Sequence, residues 1–343
     1  MSGRLMNRKT KFQDAVNRAT AWIVKHQQPD GSFGEVESLT HYMALPAALL
    51  YLGQAQSAAR LMPYLKSTYQ KENGDYDFPP ADAKPGHLAE AKYGPAWMIF
   101  SAHVNLALDL SMPAVPHMLT YQHDETGGVF GRPDHARDGK GILHVLATPC
   151  VGQAALITGH VAEARRMGDY LVDYLIAENP DMSKAFYPVW DTERGLRTDE
   201  DAPIAPNMPR VLERGAPDQH HFVTGFMISF LTDLYRATGE QKYLDGALAM
   251  YEFGEDGSGE IYRSTASHKF CWGCGSLYRV TGDARHLESA CRVAEFLVEH
   301  AQDPDGSMVH YAFIDSSANW AYSPRLNITG QFALWIQKTI DLL

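Results

Sequence analysis

Apolar residues recur every three or four positions along most of the chain. Phe12, Val16, Ala19 and Ile23 fall on one face of a helical wheel, and so do Phe222, Phe226, Phe230 and Leu234. That spacing belongs to helices rather than strands. It predicts twelve helices, over 11–27, 40–52, 55–70, 94–110, 113–122, 143–158, 160–177, 219–238, 241–253, 267–281, 284–301 and 326–342. Strand-like alternation is short and confined to the turns between them.

The connections fall into two kinds. In "YLGQAQSAARLMPYL", "ITGHVAEARRMGDYL", "ATGEQKYLDGALAMYEF" and "VTGDARHLESACRVAEFL" one helical run ends at Gly53, Gly159, Gly239 or Gly282, and a second starts almost at once. Glycine there suits the left-handed residue that ends many helices, so each stretch reads as a tight αα-hairpin. A looser fifth copy breaks at Leu110-Ser111-Met112-Pro113. The second kind follows the second helix of each pair and is an acidic, Gly-bearing turn. "QQPDGSFG" (27–34) is the first and "DPDGSMVHY" (303–311) the last. Between them come "KENGDYDF" (71–78), "HDETGGVFG" (123–131), "WDTERGLR" (190–197) and "GEDGSGEIY" (254–262). Recurrence of this kind is the mark of a repeat architecture.

Twelve helices with alternating short and long connections predict an all-α fold, an (α/α)6 barrel or toroid. The whole chain, 1–343, is expected to form one domain, with the last helix pairing with the first to close the ring. Short connections then lie on one face and long ones on the other. The long ones are 76–93, 124–142, 178–218, 254–266 and 303–325. The 178–218 stretch is rich in Pro and charge and reads as a lid or a long loop.

Composition narrows the function classes. The 343 residues are 45% hydrophobic and 21% charged, with a net charge of −11. An acidic chain without clustered Lys and Arg is a poor partner for nucleic acid. No apolar run reaches the length of a membrane span. Four Cys and no apolar leader behind "GRLMNRKTK" suggest free thiols in the cytoplasm.

The turns resemble two known groups. "WIVKHQQPDGSFG" (22–34) is similar to the QW-type turn of the squalene–hopene cyclase and protein prenyltransferase superfamily. "DETGGVFG" (124–131) and the Thr-Gly helix breaks resemble the N-acylglucosamine 2-epimerase and glycoside hydrolase toroids. Both resemblances imply the same (α/α)6 barrel around a central cavity. The Asp-x-Asp-Asp motif of protonating cyclases, the Asp-Asp-x-x-Asp diphosphate–magnesium motif and the prenyltransferase zinc pattern are not legible here. What the resemblance implies is therefore architecture.

Candidate chemistry follows from position in the barrel. One helix of each pair begins just after a long loop, and four of the six open with His: His41, His144, the pair His220-His221, and His268. The other two offer Lys92-Tyr93 and Arg325-Asn327. Imidazoles titrate near neutral pH and suit proton transfer. His221, His268 and His144 are the candidate catalytic residues. His220 and His221 point in different directions on a helix, so at most one faces a cavity. His41, Tyr93, Trp97, His220, Phe222, Trp272, Trp320, Tyr322 and Arg325 are the candidate substrate-binding residues, the rings supplying apolar walls or stacking. Carboxylates at Asp77, Glu90, Asp191, Glu193 and Asp315 are the alternative acid–base groups. "CWGC" (Cys271 to Cys274) has metal-like spacing but no second pair, and reads as close packing. No metal and no cofactor are expected, since phosphate-loop and dinucleotide fingerprints are absent.

These features point first to a cofactor-independent isomerase or cyclase acting on a small terpenoid-, polyketide- or sugar-like molecule. A carbohydrate-active lyase or hydrolase using Asp or Glu is the second reading, and a non-catalytic toroid binding a ligand or a protein is the third. Oligomeric state is not legible in the sequence.

Overall fold

The computed structural model describes residues 2–34, 39–76, 92–199, 209–310 and 322–343, with backbone only for 2–5, 40 and 322–324. Six helices line the axis: α2 (Leu45–Tyr51), α4 (Tyr93–Val104), α8 (Ala147–Ile157), α10 (Phe222–Thr238), α12 (His268–Thr281) and α14 (Tyr322–Ile340). Each packs on the next, and α14 packs on α2, so they form a closed ring. Their sequences are apolar nearly all round; Val223 to Thr232 of α10 is buried without a break. A helix apolar on all faces must be surrounded.

The outer layer supplies that surround. It comprises α1 (Ser2–Lys25), α3 (Ala55–Tyr69), α9 (Val161–Asp169), α11 (Gln241–Gly254) and α13 (Ala284–His300). Its third member is broken into α5 (Leu108–Ser111), a 3₁₀ turn and α6 (Val115–Leu119). The fold is thus an (α/α)6 toroid, and α1 pairs with α14 to close it. Predicted boundaries hold to within a few residues for most helices. The first helix begins nine residues earlier than its pattern suggests, and α9 runs on into a π-helical segment, Tyr170–Ile176. One further short helix, α7 (Pro133–Asp138), lies inside a long loop.

The acidic turns join neighbouring outer helices. Gln27 Nε2 donates across its own turn to Gly31 O (3.1 Å) and outward to Ser57 O of α3 (2.9 Å). Gln70 bonds Gly74 O and Leu110 O of α5 in the same way. Gln122 bonds Gly127 O and Glu163 O of α9, and Gln302 bonds Gly306 O and Ala15 O of α1. Each turn approaches the next helix so closely that only glycine fits. A Cβ on Gly127, at φ 84°, would stand 2.2 Å from Arg166 O.

Only four of the six turns make this bridge. After α9 the chain departs into 178–218, where β2 (Ala185–Phe186) pairs with β5 (Leu212–Glu213), and β3 (Trp190–Asp191) lies between β1 (Ile142–Leu143) and β4 (Gly195–Leu196). Phe186, Val189, Trp190 and Leu212 are buried there. The 178–218 excursion is itself tied to α11, where Arg214 Nη2 donates to Glu252 O (2.9 Å), and the turn after α11 carries no glutamine.

The four hairpin glycines all have positive φ and sit at short connections on the face opposite the long loops. The fifth hairpin differs from its expected place. Leu110 to Pro113 lies within the outer helix, and the turn is at Asn105–Ala107. Leu106 takes the left-handed position there, at φ 59° and 81% exposed, where the other hairpins have glycine.

Three substitutions test this arrangement. Gly127→Ala should lower unfolding stability by about 3 kcal/mol or more, whereas Gly239→Ala, whose Cβ would meet nothing within 4 Å, should cost only about 1 kcal/mol. Leu106→Gly should raise stability by about 1 kcal/mol by relieving a left-handed leucine. Urea unfolding of the three variants checks both statements; equal losses at Gly127 and Gly239 would remove the close-approach explanation.

Candidate active site at the long-loop end

All six inner helices run in the same direction, from the long loops to the short hairpins. Side chains one turn apart on their axial faces therefore stack in layers. Trp97 of α4, Trp272 of α12 and Trp335 of α14 form the middle layer. The indoles of Trp272 and Trp335 are stacked with centroids 4.5 Å apart, and Trp97 lies 5.9 and 6.2 Å from them. Phe226 of α10 stands edge-on to Trp97 and Trp272, and Tyr93 edge-on to Phe226.

One turn toward the long loops sits Lys269, 1% exposed. Its ammonium lies 4.6 Å from the Trp97 ring, 4.8 Å from Trp335 and 5.0 Å from Phe226, and donates to Gln331 Oε1. Gln331 in turn donates to Asn327 Oδ1 (3.0 Å). Burial pushes the lysine down to about 7 from its ordinary 10.5, while three ring faces favour the charged form.

His268 precedes it on α12. Its Nδ1 lies 2.9 Å from Thr265 O. A carbonyl only accepts, so Nδ1 carries the proton and the neutral ring presents a bare lone pair at Nε2. The His268 ring packs at 5.3 Å from His310 and 5.0 Å from Phe332. His310 Nδ1 is 3.1 Å from Thr265 Oγ1. Burial, reinforced by the Lys269 charge, holds both imidazoles far below their usual range, His310 at about 3. His220 also lies close enough for its charge to lower His310. Two imidazoles, His268 and His310, and one ammonium thus gather on one face of the tryptophan layer.

The other expected residues are distributed differently. His221 lines a separate narrow crevice with Phe253, Asp256 and Ile261, between the start of α10 and the end of α11. His220, its neighbour, packs against Phe222 rather than lining this crevice. His144 caps α8: its Nδ1 accepts from Leu146 N (3.2 Å) and Ala147 N (3.1 Å). Its protonated Nε2 is buried without a partner among the described residues, and burial lowers the ring to about 4. His41 ends a 3₁₀ turn, Leu39–His41, half-buried. Phe222 packs edge-on against His220 at 5.3 Å. Arg325 is engaged by Asp303 (2.9 Å) and Ser307 (3.1 Å) and pins the last acidic turn to α14. Trp320, Asp77, Glu90 and Asp315 lie outside the described residues, and Tyr322 is described only as the first residue of α14. Asp191 faces Arg197 and Glu193 pairs with Lys140. Cys271 and Cys274 are buried packing residues; Cys271 Sγ is 3.2 Å from Thr339 Oγ1, and burial pushes its thiol up to about 12.

Lys269 and His310 did not stand out in the sequence. The readable signal for Lys269 is a single charge opening the helical run "KFCWGCGSL", one turn before Trp272. His310 sits in an acidic turn, outside every helix start.

No protein-family model and no curated protein sequence match the chain. Solved structures do match it in shape. A family 76 α-mannanase from Bacteroides thetaiotaomicron superposes with a TM-score of 0.64 at 12% identity, covering 96% of each chain. A D-mannose isomerase gives 0.64 at 13% identity, over 97% of this chain and 98% of its own. An α-1,6-mannanase from Salegentibacter, inactive with two neighbouring aspartates replaced and bound to mannotetrose, gives 0.63 at 12% identity, over 96% and 99%. At such identities the likeness defines the fold, an (α/α)6 toroid, and leaves the chemistry to the site.

The buried bases carry stability consequences. Between pH 6.5 and about 4 the unfolded chain takes up protons that folded His144 and His221 refuse, so stability should fall across that window. His144→Asn keeps a cap acceptor without a titrating ring and should flatten the fall in a melting series. Lys269 acts with a depressed lysine pKa: its burial penalty is full below about pH 7 and fades toward 10.5. Lys269→Met should therefore melt higher than the parent at pH 7, by about 1 kcal/mol or more, and lose that advantage toward pH 10. A variant that melts lower at both pH values would contradict the assignment.

Proposed function

We propose that the chain is an enzyme acting on a small carbohydrate, and that its reaction is a cofactor-independent isomerisation by proton transfer. The observation that carries this reading is the orientation of His268. Thr265 O fixes the proton on Nδ1 and leaves Nε2 as a base beside an ammonium group. Isomerising an open-chain sugar requires a proton to leave the carbon next to a carbonyl, an enediolate to be stabilised, and the proton to return at the neighbouring carbon. In this reading His268 Nε2 takes the proton. Lys269, one residue on, stabilises the developing oxyanion in a site shielded by rings. His310, stacked beside His268, is the second proton carrier. The shape likeness to a D-mannose isomerase supports the substrate class.

Glycoside hydrolysis needs two carboxylates flanking the bond to be cut. The isomerase reading rests on the groups that are gathered around His268, two imidazoles and an ammonium, which suit proton transfer. Cyclisation of a long apolar chain is not supported, because Trp97, Trp272, Trp335 and Lys269 occupy the middle of the barrel.

Incubation with mannose, fructose and glucose in deuterated buffer tests the reading. Interconversion, or deuterium entering at the carbon beside the carbonyl, is the expected result. His268→Gln should cut the rate roughly 10²–10⁴-fold, and His221→Gln should leave it within about threefold, since that ring lies in another crevice. Release of reducing ends from an α-1,6-mannan oligosaccharide, without isotope exchange, would replace this reading with the hydrolase one.

A further inference from the structure

A cavity formed by the described residues opens at the opposite end of the barrel, on the short-hairpin face. It holds about 420 Å³ and lies beyond the tryptophan layer, with Trp272 as its floor. Its charged lining is Asp233, Arg236, Arg279 and Lys338, three cations against one carboxylate. Asp233 is already bound by Gln153 Nε2 (3.1 Å) and Arg236 Nη1 (3.2 Å). Among the described residues neither Lys338 nor Arg279 has a carboxylate within ion-pair distance.

Cations near helix C-termini have an ordinary explanation, because the last carbonyls of each helix carry partial negative charge. That explanation serves Arg236 and Arg279, which are exposed in the last turns of α10 and α12. It does not serve Lys338. A lysine attending only to helix ends extends its head group into water. Lys338 instead holds its ammonium over Tyr51 (4.6 Å), Trp335 (5.2 Å) and Trp272 (5.7 Å), inside the cavity. Burial lowers it to about 8, which leaves it largely charged at neutral pH.

We propose that this cavity binds a small organic anion. Its carboxylate or phosphate group meets Lys338 and Arg279, and its body lies against Trp272 and Tyr51. The volume falls within the range of small-molecule sites and exceeds what a bare phosphate fills, so the ligand has a body of sugar size. The site is separated from His268 and Lys269 by the tryptophan layer, and its occupancy is independent of the reaction proposed there.

Trp272 lines the site, so intrinsic fluorescence reports binding directly. Glucose 6-phosphate, gluconate, inorganic phosphate and glucose are titrated at constant ionic strength. A saturable change with glucose 6-phosphate or gluconate is expected, and which of the two binds tighter separates phosphate from carboxylate recognition. Inorganic phosphate should bind more weakly and glucose should give no change. Lys338→Met should weaken anion binding at least tenfold. Arg279→Gln, at an exposed position that leaves the fold undisturbed, should weaken it severalfold. His268→Gln should bind as the parent does. The proposal is overturned if no anion gives a saturable change, if glucose binds as tightly as the anions, or if both cation variants bind like the parent.

Discussion

The barrel depends on one repeated hydrogen-bond pair. A glutamine at the end of an outer helix closes its own turn with one bond and reaches a backbone carbonyl of the next outer helix with the other. Gln27, Gln70, Gln122 and Gln302 do this at four of six junctions. Both acceptors are main-chain oxygens, so the bridge sets the spacing between units without regard to their side chains. A glycine pressed against the neighbouring helix completes the contact. Once the outer helices are spaced, each inner helix follows from a short hairpin, and all six inner helices are obliged to run the same way.

Parallel inner helices turn sequence spacing into height along the axis. Residues at i, i+3 and i+7 on α12 become Lys269, Trp272 and Ser276, three successive levels. The indole level divides the barrel. Above it the groups are imidazoles held neutral and a lysine held near its titration point. Below it are cations with few carboxylates. Each compartment has a lysine resting on this layer, Lys269 over Trp97 and Trp335 and Lys338 over Trp335 and Trp272. This placement is costly for stability, because a buried ammonium gives up hydration that ring faces replace only in part.

The parts of the fold that were legible in the sequence are those written in local chemistry. The Gln…Asp-Gly-Ser turn and the hairpin glycines mark the units because each needs a particular residue at a particular backbone angle. Leu106 escaped that reading because it occupies a glycine's position without being one. At the site, helix starts were found from the order of loops, and that brought His268, His220, Tyr93 and Trp97 into view. Which imidazole faces the axis depends on helix rotation, so His220 and His221 were not distinguishable. His144 reads the same as His268 in sequence, yet two backbone amides claim its Nδ1. His310 and Lys269 depend on tertiary approach across 41 positions of chain and on packing between α12 and α14, which spacing along one strand of sequence does not encode.

The closing junction has a consequence for how the protein is made. Arg8 of α1 binds Glu288 and Glu295 of α13, with Nε–Oε1 at 2.6 Å for the second pair, and Gln302 holds Ala15 O. Those partners lie some 280 residues downstream. On the ribosome the apolar face of α1, with Phe12, Val16 and Ile23, therefore emerges first and waits longest for its cover. The later hairpins can pair as they appear, but the circle is completed only after α14 is released. Distant contacts of this kind slow folding and leave surface open to wrong partners during synthesis, so the first helix is where a growing chain is most exposed to aggregation or to a chaperone.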